Sequence, residues 1–311
     1  VRPLDDLVKK YGSQLLPNQL IKIDGKIMAI AMSVNNQHMM YREDIFSKLG
    51  ISEPKTWSDV ISAAEKIKES GMVDYPYGGA FKSGWNIAEE FVNMFIGHGG
   101  EFFKAGTAEP NINNAKGVAT LNMLKKLASL SNPDYLTHDS EAIKVEWESG
   151  KVALMTLWAS RSGTLLDDEG DAKITAATKL TGPATVGGGN IPAATLWWDG
   201  FTLAKNRSDS DAEASFIALA HAASNKKMVA DAADQAVWLV EGFVPGPKSI
   251  GVIEAVKMGA KPYPMLPQMG LMHGALGSEI VEFLQGKESA EQALKDVCLL
   301  YTSDAADECL C

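Results

Sequence analysis

The chain has 311 residues, of which 46% are hydrophobic and 22% are charged, a composition typical of globular proteins. This length exceeds the usual size of one hydrophobic core and predicts two lobes. No stretch approaches the roughly 20 consecutive apolar residues that span a bilayer. The net charge of −10 argues against a nucleic-acid partner, because binding to phosphates requires clustered lysine and arginine side chains.

The two ends of the chain have unusual sequences. Residues 1–7 contain neither a start methionine nor a signal-peptide pattern, and we interpret the chain as a fragment that lacks its N-terminal part. The cysteines, at positions 298, 309 and 311, are confined to the end of the chain, and a cysteine-free body suits an oxidising compartment. Residues 298–311 are similar to a translated sequencing adapter. We therefore predict a non-native tail that does not continue the preceding helix and forms neither a metal site nor a disulfide.

Helical and strand-like segments alternate along the chain, which indicates an α/β fold. Asp24-Gly25 predicts a turn before the first apolar strand, and Thr56 with Asp59 resembles a capping box at the start of a helix. The predicted strands are, in chain order, 26–32, 151–157 and 197–205. The predicted helices are 42–49, 57–70, a segment ending at 97, then 114–130, 211–224, 226–235, 277–285 and 289–297.

Short motifs in a fixed order carry a resemblance to a known family. In this order and spacing they resemble family 1 of the extracellular solute-binding proteins, the sugar-binding subunits of ABC importers, over essentially all of residues 1–297. The motifs are DGKIMA at 24–29, YREDIF at 41–46, PKTWSD at 54–59, HGG at 98–100, ESGKVALM at 148–155 and SAEQAL at 289–294. PLDD at residues 3–6 resembles a segment well inside such proteins, which supports the absence of an N-terminal part.

The resemblance implies an α/β, two-lobed, periplasmic-binding-protein-like (type II) fold with a ligand cleft between the lobes. Strands would cross between the lobes near residues 32–37 and 198–202. The first lobe, incomplete here, would comprise 1–35 and 200–249. The second lobe would comprise 36–199 and 250–297.

The pair Trp197-Trp198, followed by Asp199, is the first candidate contact with a ligand. A neutral sugar offers flat C–H faces to aromatic rings and hydroxyls to polar side chains. Adjacent residues of a strand point to opposite faces, so one tryptophan can pack in the core while the other lines the cleft. We select Trp198 and Asp199 as ligand contacts. The alternatives are that both tryptophans belong to the core and that Asp199 forms a turn before Gly200.

Further candidates follow from the resemblance. The family presents an aromatic ligand contact after the strand at 151–157; Arg161 stands near that position and Trp158 three residues earlier, so which side chain stacks is open. Arg161 can alternatively form a surface ion pair with Asp167 or Asp168. Asn35 and Asn36, at the first crossing, are either hydroxyl-binding or turn residues.

Four candidates remain. His273 follows PQM at 267–269, which resembles the family's sequence before a cleft-facing position, but a lone histidine is more often structural. Trp85, which begins a helix, either contacts the ligand or packs against Phe91. Trp238 and Glu241 are the last two candidates.

Other kinds of site are disfavoured by spacing. The glycines at 187–189 lack the residues of a phosphate loop, and residues 167–170 lack the alternating ligands of a calcium loop. The five histidines are scattered, so we predict no metal and no cofactor. Glu89 and Glu90 are adjacent on a helix and point apart, so they cannot act as a glycosidase pair.

These observations predict a substrate-binding subunit without enzymatic activity. It would capture a sugar or oligosaccharide, with a polyol or glycoside also open, close by a hinge motion and deliver the ligand to ABC permease membrane subunits. We expect a monomer in the periplasm or outside the cell, with any lipid anchor in the absent leader. The alternatives are a carbohydrate-active hydrolase or lyase, and a sensory or adhesion module of the same fold.

Overall fold

The computed structural model describes residues 1–167, 170–186 and 189–308, with side chains described as far as Asp304. The strands are β1 (Leu20–Ile23), β2 (Lys26–Asn35), β3 (Gln37–Arg42), β4 (Tyr75–Gly78), β5 (Val152–Trp158), β6 (Thr178–Leu180), β7 (Thr195–Phe201), β8 (Val237–Trp238) and β9 (Lys261–Pro262). The helices are α1 (Asp5–Tyr11), α2 (Glu43–Leu49), α3 (Trp57–Ser70), α4 (Trp85–Gly97), α5 (Ala115–Ala128), α6 (Ser140–Glu148), α7 (Ser162–Leu165), α8 (Ala172–Ala177), α9 (Asp209–Ser224), α10 (Lys226–Asp231), α11 (Ile250–Lys257), α12 (Met269–Leu284) and α13 (Ala290–Glu308).

The strands of the described residues form two sheets. The first has the order β1-β2-β7-β9, with β8 also paired to β2, and the second has the order β4-β5-β3-β6. Most pairs are antiparallel, whereas β4–β5 and β7–β9 are parallel. Each sheet contains strands that are distant in sequence, so both depend on long-range pairing.

The chain passes from one sheet to the other through a single residue, Asn36. Immediately before it, Asn35 at the end of β2 pairs with Trp197 of β7. Immediately after it, Gln37 at the start of β3 pairs with Trp158 of β5. The register of the two sheets therefore brings Trp158 and Trp197 to the same junction.

Each sheet packs its own hydrophobic core. Leu4, Ile30 and Phe216 are fully buried in the core of the first sheet. The second sheet is covered by a larger core on one face, which includes Phe91 and Leu276, and by a smaller core around Trp147 and Met155 on the other. The division into lobes at the boundaries given above stays a prediction.

The start of α3 illustrates how local sequence fixes an element. The Thr56 hydroxyl accepts a hydrogen bond from the Asp59 backbone N–H at 3.2 Å, and the Asp59 carboxylate accepts one from the Thr56 N–H at 2.9 Å. Gly71 ends the helix in the left-handed conformation, with φ of 63°. The predicted capping box and helix boundaries are confirmed.

Several element boundaries differ from the sequence-based prediction. Helix α12 begins at Met269 instead of residue 277, and α10 ends at Asp231 instead of residue 235. Strand β7 is shifted toward the N-terminus relative to the predicted segment 197–205. The α12 start was missed because Gly270 and Gly274 lower the helix propensity of its first two turns.

The expectation that the tail does not continue the preceding helix is wrong for the residues described, because α13 extends to Glu308. Tyr301 is 2% exposed, its ring centroid lies 5.6 Å from that of Phe103, and its hydroxyl donates a hydrogen bond to the Ala108 carbonyl at 2.8 Å. Cys298 is half-buried and has a free thiol, and positions 309 and 311 lie outside the described residues. The adapter-like origin of the tail stays a prediction.

None of the helices within the described ranges is long and apolar enough to cross a membrane. Across the same residues, no three histidine, cysteine, aspartate or glutamate side chains are grouped so that they could hold a metal ion. The disfavoured calcium and phosphate loops include positions 168–169 and 187–188, which lie outside the described residues.

Candidate functional site

A cluster of aromatic rings lies at the junction of the two sheets. Trp85, Trp158 and Trp197 contact one another pairwise, with ring centroids 5.7 to 6.1 Å apart. Tyr263 packs on Trp197 with a centroid distance of 4.3 Å, and His273 stacks on Trp85 at 5.0 Å. These rings come from α4, β5, β7, α12 and the segment before α12, so only the folded chain assembles them.

Two cavities share this cluster as a wall. The main cavity has a volume of about 530 Å³ and is lined by Asn35, Trp85, Asn86, Ser140, Trp158, Ser160, Arg161, Trp197 and Asp199. The second has a volume of about 390 Å³ and is lined by Gly84, Trp85, Trp197, Tyr263, Gly270, His273 and Gly274. Aromatic walls with a few polar groups are usual for small-molecule sites.

Strand β7 contributes alternate residues to the main cavity. Trp197 and Asp199 are two residues apart, point to the same face of the strand and both line the cavity. Trp198 points to the other face, pairs with Val34 and lines neither cavity. The prediction that Trp198 faces the cleft is therefore wrong, and we place Trp197 in the candidate site instead.

The two asparagines of the first crossing have different positions. Asn35 lines the main cavity, and its side chain exchanges hydrogen bonds of 3.2 Å with the backbone N–H and hydroxyl of Ser160. Asn36 is fully buried, and its Nδ2 donates to the Gln37 carbonyl at 3.0 Å. Asn36 lines neither cavity, so its predicted role as a ligand contact is replaced by a structural one at the crossing.

Two other candidates also lie outside the site. Trp238 lines neither cavity, and its indole N–H donates to the Ala232 carbonyl at 2.9 Å. Glu241 is exposed, lines neither cavity and forms a 2.8 Å ion pair with Lys226. A position shortly before a glycine, here Gly242, does not by itself place either side chain in a cleft.

Arg161 lines the main cavity but is already engaged by an acid. Its Nη1 lies 2.9 Å from the Glu141 carboxylate of α6, a partner that the sequence did not suggest. The predicted alternative partner Asp168 lies outside the described residues. In the same cavity, partial desolvation raises the pKa of the Asp199 carboxyl.

His273 is buried and hydrogen-bonds two aromatic residues of the cluster. It is 4% exposed; its Nδ1 hydrogen-bonds the Tyr263 hydroxyl at 2.8 Å and its Nε2 the Trp85 carbonyl at 2.9 Å. Burial lowers the pKa of the His273 imidazole, so the ring is neutral at physiological pH. The structure thus combines the two interpretations of this histidine, because it borders the second cavity and also holds Trp85 in place.

Comparison with known proteins identifies the family. A profile described as bacterial extracellular solute-binding protein matches residues 1–240. The chain belongs to this family. An uncharacterised ABC transporter extracellular-binding protein of Pyrococcus horikoshii is 29% identical over 171 residues, which cover 51% of this chain and 38% of that relative. The match thus spans less than half the length of that curated relative.

Solved structures confirm the fold of this solute-binding protein. Maltose-bound T. maritima MalE3 superposes with a TM-score of 0.83 at 19% identity, covering 97% of this chain and 80% of the other. A D-mannitol-bound solute-binding protein from Agrobacterium vitis S4 gives a TM-score of 0.81 at 20% identity, covering 99% and 81%. The predicted α/β, type II periplasmic-binding-protein-like fold and the family resemblance are confirmed.

Beneath the aromatic cluster of this solute-binding protein lie two buried acids, Glu89 and Glu90 of α4, which are 0% and 4% exposed. Glu89 faces β7, whereas Glu90 accepts a 3.0 Å hydrogen bond from Gln37 Nε2 of β3. They point apart, as predicted, and neither lines the two cavities. Burial raises the pKa of each carboxyl to about 8.

The buried acids predict a loss of stability of the solute-binding protein as the pH rises from 6.5 to 8. In this interval the folded state retains protons on Glu89 and Glu90 that the unfolded state has released, so the free energy of unfolding should fall by about 1 kcal/mol per pH unit for each carboxyl. Urea unfolding at both pH values should show a smaller fall for the double variant Glu89→Gln/Glu90→Gln.

The interval begins at pH 6.5 because of the buried His38. Burial lowers the pKa of His38 to about 4, so this group adds an opposite dependence that is strongest below pH 6.5 and fades above it as the unfolded-state imidazole loses its proton. The matched control is Glu69→Gln on the exposed side of α3, which should keep the wild-type fall in stability. An unchanged fall in the double variant would contradict the prediction.

Proposed function

We propose that this chain is the substrate-binding part of an ABC importer and that it holds an uncharged carbohydrate in the main cavity. The observation that carries the proposal is the meeting of Trp85, Trp158 and Trp197 around a cavity with a polar rim. Indole rings match the C–H faces of a sugar, while Asn35 and Asp199 can bind its hydroxyls.

The charges around the site favour an uncharged ligand over a phosphorylated one. Arg161 lines the main cavity, but its guanidinium is paired with Glu141 at 2.9 Å. Lys248 lines an adjoining cavity of about 670 Å³, and its ammonium lies 3.4 Å from Asp234. Exposed pairs of this kind are weak and can rearrange. Even so, a phosphate would compete with an acid for each of these two cations.

Binding without chemistry is favoured by the distribution of carboxylates. Glycoside hydrolysis requires two carboxyl groups on opposite sides of the scissile bond, about 5 to 9.5 Å apart. Asp199 is the carboxylate that lines the main cavity among the described residues, while Glu89 and Glu90 are buried beneath it. This arrangement supports a binding role, and we propose that the ligand leaves the protein unaltered.

The family and its relatives guide the remaining details of the proposal. Bound maltose and D-mannitol in the two related structures suggest a sugar or a polyol for this chain. As a member of an extracellular family, the chain would act in the periplasm or outside the cell and deliver its ligand to permease subunits. We retain a monomer as part of the proposal.

A binding panel tests the proposal directly. The protein is titrated calorimetrically with maltose, maltotriose, D-mannitol and sn-glycerol 3-phosphate, and each carbohydrate is recovered and analysed chromatographically. We expect saturable binding of at least one neutral carbohydrate, which is recovered intact. Release of smaller sugars would favour the hydrolase or lyase, and binding of the phosphate ester alone would overturn the assignment to an uncharged ligand.

A further inference from the structure

A buried carboxyl connects two walls of the candidate site. Glu89 follows Trp85 by four residues on α4, so both side chains lie on the same helical face. Above it, the ring of Trp85 meets that of Trp197 edge to face, with centroids 5.7 Å apart. The Glu89 Oε1 accepts a hydrogen bond from the Trp197 indole N–H at 3.1 Å. One turn of helix therefore contacts Trp197 through both a ring and an acid.

The polar groups around Glu89 fix the direction in which the Trp197 indole N–H points. The Thr195 hydroxyl lies 3.0 Å from Glu89 Oε1 and 2.8 Å from Asn93 Oδ1, and it also accepts from the Trp197 indole N–H at 2.9 Å. Asn93 Oδ1 further accepts from the Thr195 backbone N–H at 2.8 Å, which anchors the start of β7 to α4. The indole can donate only one proton, and both of its acceptors are buried on the same side.

The same network reaches the first crossing. Asn93 Nδ2 donates to Gln37 Oε1 at 2.8 Å, and Gln37 Nε2 donates to Glu90 Oε1 at 3.0 Å. Gln37 directly follows Asn36, where the chain passes between the sheets. Buried networks of this kind hold side chains in one arrangement, because any rotation leaves polar groups without partners.

We propose that Glu89 is a positioning residue of the ligand site, which acts through Trp197 by holding its indole as the shared wall of the two cavities. Glu89 lines neither cavity and would not touch the ligand. Its effect on affinity rests on the proposed carbohydrate-binding function, whereas its effect on the Trp197 indole does not.

Ionisation of Glu89 offers a way to observe this contact. Its Oε2 is buried without a hydrogen-bond partner among the described residues, so a charge on the carboxyl would be poorly compensated. Among the described residues, Glu90 on the same helix and Tyr263 interact electrostatically with it, and His273 hydrogen-bonds the Tyr263 hydroxyl. Burial, and to a smaller extent Glu89, raises the pKa of Tyr263, while burial lowers that of His273. Between neutral pH and pH 9, charge thus changes mainly at the two glutamates, whose pKa values are about 8.

The test follows the Trp197 indole N–H by nuclear magnetic resonance in ¹⁵N-labelled protein. Its resonance is identified by its absence from Trp197→Phe and is then followed through a pH titration. In the wild type we expect it to move with a midpoint near pH 8. Glu89→Gln should lose most of this movement, because glutamine keeps an acceptor for the indole without titrating, whereas Glu90→Gln should retain it. A role of Glu89 in packing alone would not produce this pattern.

Affinity provides the second measurement, with the neutral carbohydrate that binds best in the panel above. Glu89→Gln should stay within about threefold of the wild type. Glu89→Leu should weaken binding by at least about tenfold, since it removes the carboxyl that accepts from the indole N–H and contacts the Thr195 hydroxyl. Retention of the wild-type titration in Glu89→Gln, or its loss in Glu90→Gln, would overturn the proposal. If no carbohydrate binds to the wild type, the proposed function fails, and the indole titration still decides the role of Glu89.

Discussion

Replacing Trp197 by alanine is expected to weaken carbohydrate binding by at least about 100-fold, the loss typical of an aromatic residue at the centre of a binding site. Trp197 is the ring that contacts Trp85, Trp158 and Tyr263, and it lines both cavities. Its removal takes away a stacking surface and loosens the rings around it. Calorimetric titration with the best neutral carbohydrate of the panel measures the effect.

The matched control is Trp198→Ala, which removes the same side chain one position along β7. Trp198 points away from the cavities, so its loss should change affinity by no more than about threefold, although both substitutions remove packing and should lower thermal stability. Circular dichroism must show that both variants are folded. Equal affinities for the two variants would contradict the position given to Trp197.

The choice between Trp197 and Trp198 illustrates what the sequence alone does not predict. Alternation along a strand predicts that Trp197 and Trp198 face opposite sides, but it does not tell which side is the cavity. That depends on the pairing of β7 with β2, in which Asn35 lies opposite Trp197. The pairing joins residues that are far apart in the chain, and no local pattern encodes it. Asp199 lines the main cavity, and alternation places Trp197, not Trp198, on the same face of the strand.

Local sequence patterns predicted those elements whose boundaries are set by residues at their own ends. The capping box at Thr56 and the glycine after α3 define that helix without reference to the rest of the fold. The crossing between lobes near residues 32–37 came from the family resemblance, and the chain passes from one sheet to the other at Asn36, within that range. Trp158 was identified as a candidate from the resemblance and Trp85 from its place at the start of a helix, and both line the main cavity.

The residues that sequence reasoning missed share a physical cause. Sequence reasoning treated Glu89 only as a possible catalytic acid. It did not predict that this side chain is buried, because glutamate side chains usually lie at the surface. Its spacing of four from Trp85 was the available clue. Tyr263 lies in a segment without helical or strand periodicity, so nothing local indicated that its ring packs 4.3 Å from Trp197. Both depend on tertiary packing.

Replacing Gly277 by alanine is expected to lower the free energy of unfolding by at least about 2 kcal/mol, the range seen when a packed core is overfilled. A Cβ atom there would lie 2.4 Å from the Gly84 carbonyl oxygen and 2.8 Å from its Cα, closer than such atoms approach. The Gly84 N–H also donates to the Gly277 carbonyl at 3.1 Å, so α12 and the start of α4 are in direct backbone contact. Urea unfolding measures the effect.

Gly274→Ala is the matched control, one turn earlier on the same helix. Apart from its chain neighbours and the nearby backbone of its own helix, no atom lies within 4 Å of the position of its added Cβ. The methyl group should therefore meet no obstacle and should stabilise α12 by about 0.5–1 kcal/mol through helix propensity. Since Gly84 precedes Trp85, Gly277→Ala should also displace that ring and weaken carbohydrate binding. Equal stability of the two variants would mean that α12 can move away from α4 at little cost. In that case the close backbone contact would not fix Trp85 in the candidate site.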